Sequence, residues 1–149
     1  MKAHINFFNK KKFELKLGKE TEVWLSNVIQ KYNYNYSEIN YTFLSDDELL
    51  EINRTYLNHD FYTDIITFDN TINDMISADI MISVDRVKDN AQHENKKFEN
   101  ELLRVMSHGI FHCLGYKDHN EESKQKMREK EDEALEMFHV EQNRIGDNV

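Results

Sequence analysis

Apolar and polar positions alternate along the chain in two periods. HINFFN, from residue 4, opens as a short extended run, and TEVWLSNVIQKY places Val23, Trp24, Asn27, Val28 and Tyr32 near one helical face. SEINYTFLS alternates and is rich in aromatic residues, which predicts a second strand. Ser45, followed by Asp46, Asp47 and Glu48, has the composition of a helix start, with Leu49, Ile52 and Tyr56 as the buried stripe. DIITFD and ADIMISV are too short for helices. The near-continuous apolarity of Ile80, Met81 and Ile82 predicts a strand covered on both faces. Asp85 is the expected cap of a helix over 86–94. A stronger helix is predicted from Phe98 to Cys113, where Leu102, Val105, Met106, Gly109, Ile110 and Cys113 step by three and four. A last, highly charged helix is predicted over 121–138, with pairs such as Glu122/Lys126 four residues apart. The order βαβαββ followed by helices predicts an α+β fold with a small, mostly four-stranded mixed sheet packed with helices. With no internal repeat, residues 1–141 are expected to form a single domain and 142–149 a flexible tail.

Composition narrows the class. A chain of 149 residues, 39% hydrophobic with nine Phe and seven Tyr, can bury a core although 32% of its residues are charged. The net charge of −9 speaks against a general nucleic-acid binder. It hides an asymmetry, since residues 1–40 hold seven lysines against four glutamates. The Lys10, Lys11, Lys12 run is expected to be solvated rather than bound to phosphate. The N-terminal stretch lacks the apolar run of an export signal and nowhere do about 18 apolar residues come together, so no membrane association is expected. A lone cysteine, Cys113, fits a reducing compartment, and a cytoplasmic location is expected.

The chemistry concentrates in HGIFHCLGYKDH, residues 108–119. Residues four apart on a helix differ by about 40° in direction and about 6 Å in height, so His108 and His112 project side by side beside the core stripe. Gly115 follows the last stripe residue, where a left-handed helix end is expected, and lets the chain double back. His119 on that return loop can complete a three-nitrogen site. A fourth tetrahedral position would then stay open, as in catalytic rather than structural zinc centres. The competing reading of an HxxxH pair alone is an ordinary half-buried helix edge. His4, His59, His93 and His139 have no such company, and Cys113 points about 100° away from His112 as a small core residue.

HGIFHCLGYKDH resembles the H-G-x-L-H-L-x-G-Y-D-H signature of the YbeY family, bacterial metal-dependent endoribonucleases also described as ribosomal RNA maturation factors. INRTYLNHDFYTDIITFD is similar to that family's L-N-x-x-Y-x-x-x-D-x-x-T-D-V-L-S-F segment, and SADIMIS to its G-D-I-x-I-S strand. The resemblance implies one zinc ion held by His108, His112 and His119, cytoplasmic location, and RNA cleavage on the small ribosomal subunit, in 3′ end maturation of its RNA and in ribosome quality control. Two departures stand out. Lys117 is an extra residue that stretches the last interval and makes Asp118 a rival third ligand. Leu57 stands where the family often has an arginine, and Tyr62 where it has a proline; Arg54 or a nearby lysine is the expected substitute for phosphate contact.

Asp118, or Glu101 if the loop brings His119 to it, is expected to orient a ligand histidine in catalysis. Thr63 and Asp64 are candidates for a substrate-binding wall, or else they turn the chain into its strand. In HExxH peptidases the glutamate after the first histidine is the general base, and here that position is Gly109, which disfavours a protease. A metal that activates the attacking oxygen and polarises a phosphoryl oxygen suits phosphodiester cleavage. The alternatives are a non-enzymatic ribosome assembly factor with a structural metal and, behind it, a metalloprotease.

Overall fold

The computed structural model describes residues 3–147, and side chains only as far as residue 143. Four strands, β1 (His4–Phe8), β2 (Asn35–Leu44), β3 (Ile65–Asp69) and β4 (Met75–Ser83), form one sheet in the order β1-β2-β4-β3. β1, β2 and β4 run parallel, and β3 is the antiparallel edge next to β4. Parallel neighbours need long crossovers, and helix α1 (Lys19–Lys31) supplies the first of them. The remaining helices are α2 (Asp46–Leu57), α3 (Val84–His93), α4 (Phe98–Cys113) and α5 (Glu121–Asp147). The α+β fold with a four-stranded mixed sheet is therefore as expected. Among the described residues no helix is long and apolar enough to cross a membrane.

The sheet's two faces differ. Ile5, Ile39, Tyr41, Phe43, Ile76, Ala78, Ile80 and Ile82 are buried on one face, against Met106, Ile110 and Phe111 of α4 and, farther out, α1 and α5. The Tyr41 hydroxyl donates to the Met106 carbonyl at 2.8 Å, and Trp24 Nε1 donates to the Ala134 carbonyl at 2.7 Å, tying α4 to the sheet and α1 to α5. The opposite face carries the side-chain ladder Asn6–Asn40–Asp79, with bonds of 2.9 and 3.1 Å. Among the described residues, α2 packs there, over β3 and β4. β4 therefore alternates in burial, with Met81 half-exposed between Ile80 and Ile82, and is not covered on both faces as its apolar run predicted. A run of apolar residues does not show where a covering helix stops.

Local capping explains the element ends. Ser45 and Glu48 form a full capping box at the start of α2, as the sequence predicts. α3 is capped by Ser83, whose hydroxyl accepts from the Arg86 amide at 3.1 Å. The expected cap, Asp85, lies inside the first turn, and its carboxylate accepts from the Asp46 amide instead. α5 runs on through most of the expected tail, and residues 148–149 lie outside the described residues.

One close approach sets the position of the histidine helix. A Cβ on Gly109 would sit 3.0 Å from Ile80 Cδ1 and 3.3 Å from Ile65 Cδ1, so α4 rests on β3 and β4 through its bare backbone. Glycine in a helix interior costs up to about 1 kcal/mol relative to alanine, and here the gain is contact distance. Gly109→Val is expected to destabilise the fold by about 1–3 kcal/mol through overpacking. The check is a lower urea midpoint with an unchanged slope.

Candidate metal centre

α4 ends in a Schellman turn. The Gly115 amide bonds to the His112 carbonyl at 3.0 Å and the Tyr116 amide to the Phe111 carbonyl at 2.9 Å, with Gly115 at φ +99°. The Tyr116 ring then packs edge-on against Phe111 and Tyr32, at centroid distances of 5.8 and 6.2 Å, which pins the return loop to the core. α5 begins at once, because Asn120 and Ser123 bond reciprocally, side chain to backbone amide, at 2.8 and 3.1 Å. Between those two anchors, only residues 117–119 are left to reach back toward the helix.

Asp118 makes that reach. Its Oδ2 lies 3.3 Å from His108 Nε2 and its Oδ1 3.7 Å from His112 Nε2, while the two Nε2 atoms are 3.0 Å apart. One donor atom from each of the three residues falls within 4.8 Å of the other two. A tetrahedral ion bound at about 2.0–2.1 Å sets its ligand atoms about 3.3 Å apart, so the observed spacing suits a single divalent metal. The chemistry of the set, two imidazoles and one carboxylate, matches catalytic sites that keep a fourth position free.

His119, the expected third ligand, is not in this group. Its ring is exposed and its Nε2 lies 3.3 Å from the Asn120 side-chain nitrogen. The physical reason is the extra Lys117: with Gly115 fixed as the turn residue, the loop position that swings back under the helix is 118, and 119 passes outward to the α5 cap. Asp118, expected to orient a ligand histidine, instead faces the Nε2 atoms of both rings.

The orienting group is Glu131, which sequence reasoning missed. Its Oε2 accepts from His108 Nδ1 at 2.7 Å, which leaves the Nε2 lone pair for a metal. Arg104 holds Glu131 from behind, Nη1 to Oε1 at 3.1 Å, and also reaches Asp132 at 2.6 Å. Glu131 is buried, although it sits in the charged run MREKEDE, in which four of the seven residues are acidic. Nothing in that local pattern separates it from its solvated neighbours. Burial opposes charge on His108, but the hydrogen bond and charge of Glu131 outweigh it, and the imidazole pKa is raised. His112 moves the other way, lowered by burial and then by the neighbouring His108. Glu131→Gln keeps an acceptor but removes the charge, and is expected to weaken metal retention about 10- to 100-fold in a chelator competition.

The remaining candidates divide. Asp64 lines a cleft of about 720 Å³ together with His108, Asp118 and Glu131. Burial raises its pKa, and Asn90 donates to its Oδ2 at 3.2 Å. Thr63 bonds to the Ile65 carbonyl at 3.3 Å and turns the chain into β3. Glu101 also lines the cleft, but it is buried 3.8 Å from Arg104 as a counter-charge, and His119 is exposed and outside the cleft lining. Arg54 is exposed on α2, is paired with Asp60 and Glu51, and lies outside the cleft. Cys113 is buried, its thiol pushed up to about 12 by desolvation, in keeping with a core role.

Comparison with known proteins agrees with this architecture. Residues 4–139 match the family described as Endoribonuclease YbeY. A Flavobacterium johnsoniae protein named Endoribonuclease YbeY is 51% identical over 138 residues, covering 93% of this chain and 99% of that protein. One of the same name from Cytophaga hutchinsonii is 46% identical, covering 91% and 96%. The solution structure of TM1509 from Thermotoga maritima superposes with a TM-score of 0.70 at 27% identity, over 98% of this chain and 96% of that one.

Proposed function

From the premise that the chain belongs to the YbeY endoribonuclease family, we propose that it is a zinc-dependent nuclease that cleaves single-stranded RNA at the His108–His112–Asp118 centre. Its expected setting is the cytoplasm, in maturation of the 3′ end of small-subunit ribosomal RNA and in ribosome quality control. The observation that carries this reading is the convergence of three donor atoms, two of them from residues lining an open cleft, with His108 Nδ1 held by Glu131 so that Nε2 faces the other donors.

When bound, zinc supplies Lewis-acid activation of the attacking oxygen and neutralises charge developing on the phosphoryl group. The chain's own residues do the rest. His108, His112 and Asp118 hold the ion, and Glu131 with Arg104 keeps the first ring from rotating. Asp64 faces the same cleft with its carboxylate held by Asn90, in a position to accept a proton from the attacking hydroxyl or water. Its raised pKa suits a group that must both take up and release a proton. Gly109, where a peptidase would carry its base, instead touches Ile80 and Ile65 and has no access to the cleft.

The test is direct. Zinc-loaded protein is incubated with single-stranded RNA, duplex RNA and a peptide library. Cleavage of the single strand alone supports the proposal, and peptide cleavage in its place refutes it. The double variant His108→Ala, His112→Ala should lose both zinc and cleavage; activity that survives it belongs to another centre.

A further inference from the structure

Apart from Asp64, which Asn90 holds, the carboxylates on the floor of the cleft are already engaged. Glu131 and Glu101 face Arg104, and Asp118 belongs to the metal group. Other guanidinium groups are also engaged, Arg54 with Asp60 and Arg86 with Asp46. Three cations on the cleft walls make no salt bridge among the described residues: Lys96, Lys124 and Arg128 are exposed, and Lys96 only acts at longer range on Glu101.

Their placement follows from the chain. α3 ends at His93, and Asn95 at φ +54° turns the backbone so that Lys96, its amide bonded to the Ala91 carbonyl at 2.8 Å, stands on one wall. Lys124 and Arg128 stand on the other, one turn apart on the face of α5 that continues to Glu131. Side chains four apart on a helix have Cβ atoms about 5–6 Å apart, which lets two cations meet neighbouring phosphates of an extended strand. Glu94 and Glu121 border the same walls, so an anion is drawn to the path between them rather than to the cleft at large.

We propose that Lys124 and Arg128 on α5, with Lys96 opposite, form a phosphate-binding track that leads a single RNA strand past the His108–His112–Asp118 centre. This rests on the nuclease reading and adds the strand's route. In a chain of net charge −9, these side chains supply the local attraction that the molecule as a whole denies an anionic polymer. The track reads backbone charge and not base identity.

The experiment uses the full-length zinc-loaded protein and a single-stranded RNA oligonucleotide, with KM and kcat measured between about 50 and 200 mM salt. The variant is Lys124→Gln with Arg128→Gln, both exposed and remote from the core. Each phosphate contact on a single strand contributes about 0.7 to the log–log salt slope. The double variant should lower that slope by about 1.4 and raise KM about 25-fold at 0.1 M salt, with kcat and zinc content near wild type. Lys10→Gln with Lys12→Gln, on the exposed segment after β1, should leave KM and slope unchanged. If wild type cleaves RNA and the α5 variant keeps its slope, the track is wrong and the nuclease reading stands. If wild type neither binds nor cleaves RNA, both fall.

Discussion

Asp118→Ala is expected to lower RNA cleavage by about a thousandfold and to strip the metal, whereas His119→Ala leaves both near wild type. Removing Asp118 would take one of three donor groups from the candidate site and leave two adjacent imidazoles to hold an ion. Lewis-acid stabilisation is worth several kcal/mol, and about 4 kcal/mol is three decades in rate. His119 lies outside the donor group, with its ring exposed beside Asn120. Asp118→His supplies a third imidazole at the same loop position and should restore zinc binding that the alanine variant lost. Metal content per chain and cleavage of a fluorescent single-stranded RNA are the two measurements. Zinc retained in Asp118→Ala and lost in His119→Ala would return the third ligand to His119.

Arg104→Met is expected to cost about 3–5 kcal/mol of stability, the largest single effect outside the core. The guanidinium is mostly buried and serves Glu131, Asp132 and Glu101 at 3.1, 2.6 and 3.8 Å. Replacing such a pair with apolar groups on both sides can be neutral, but removing one partner strands a buried charge. Here it strands Glu131 and Glu101. A companion Glu131→Gln change should therefore give back part of the loss in urea denaturation. The pH dependence has a definite sign. Burial raises the Glu101 pKa, with Arg104 working against that rise, so the arginine's removal lifts it further. A carboxylate whose folded pKa is raised binds more protons in the native state, and its cost grows as pH rises. The deficit of Arg104→Met should shrink from pH 7.5 toward pH 5. A cost under about 1 kcal/mol at neutral pH would mean that the network behaves like exposed surface pairs.

Much of the site's frame was legible because it is written in near neighbours. The i,i+4 spacing of His108 and His112, the helix-ending Gly115 and the Ser45 cap are all geometry within one or two turns, and the structure shows each as the spacing implies. The structure departs from the sequence expectations where a loop had to choose. Lys117 shifts the register by one, and a short segment held by Tyr116 at one end and Asn120 at the other presents 118 inward and 119 outward. Asp85 and Ser83 pose the same problem on a smaller scale, two capping types two residues apart. Arg54 had to be placed against a partner, Asp60, in the following loop, and that pairing is not periodic.

The order of the elements, the α+β class, the two adjacent imidazoles and the turn after them were determined by the sequence alone, since hydrophobic period, capping and glycine conformation act over a few residues. Which carboxylate joins those imidazoles, which one steadies them from α5, and which cations line the cleft were decided only by the tertiary structure. Those assignments depend on burial and on contacts 10 to 27 residues apart in the chain, as between His108 and Asp118, His108 and Glu131, or Arg104 and Glu131. A charged residue looks the same in the sequence whether it faces water or an ion.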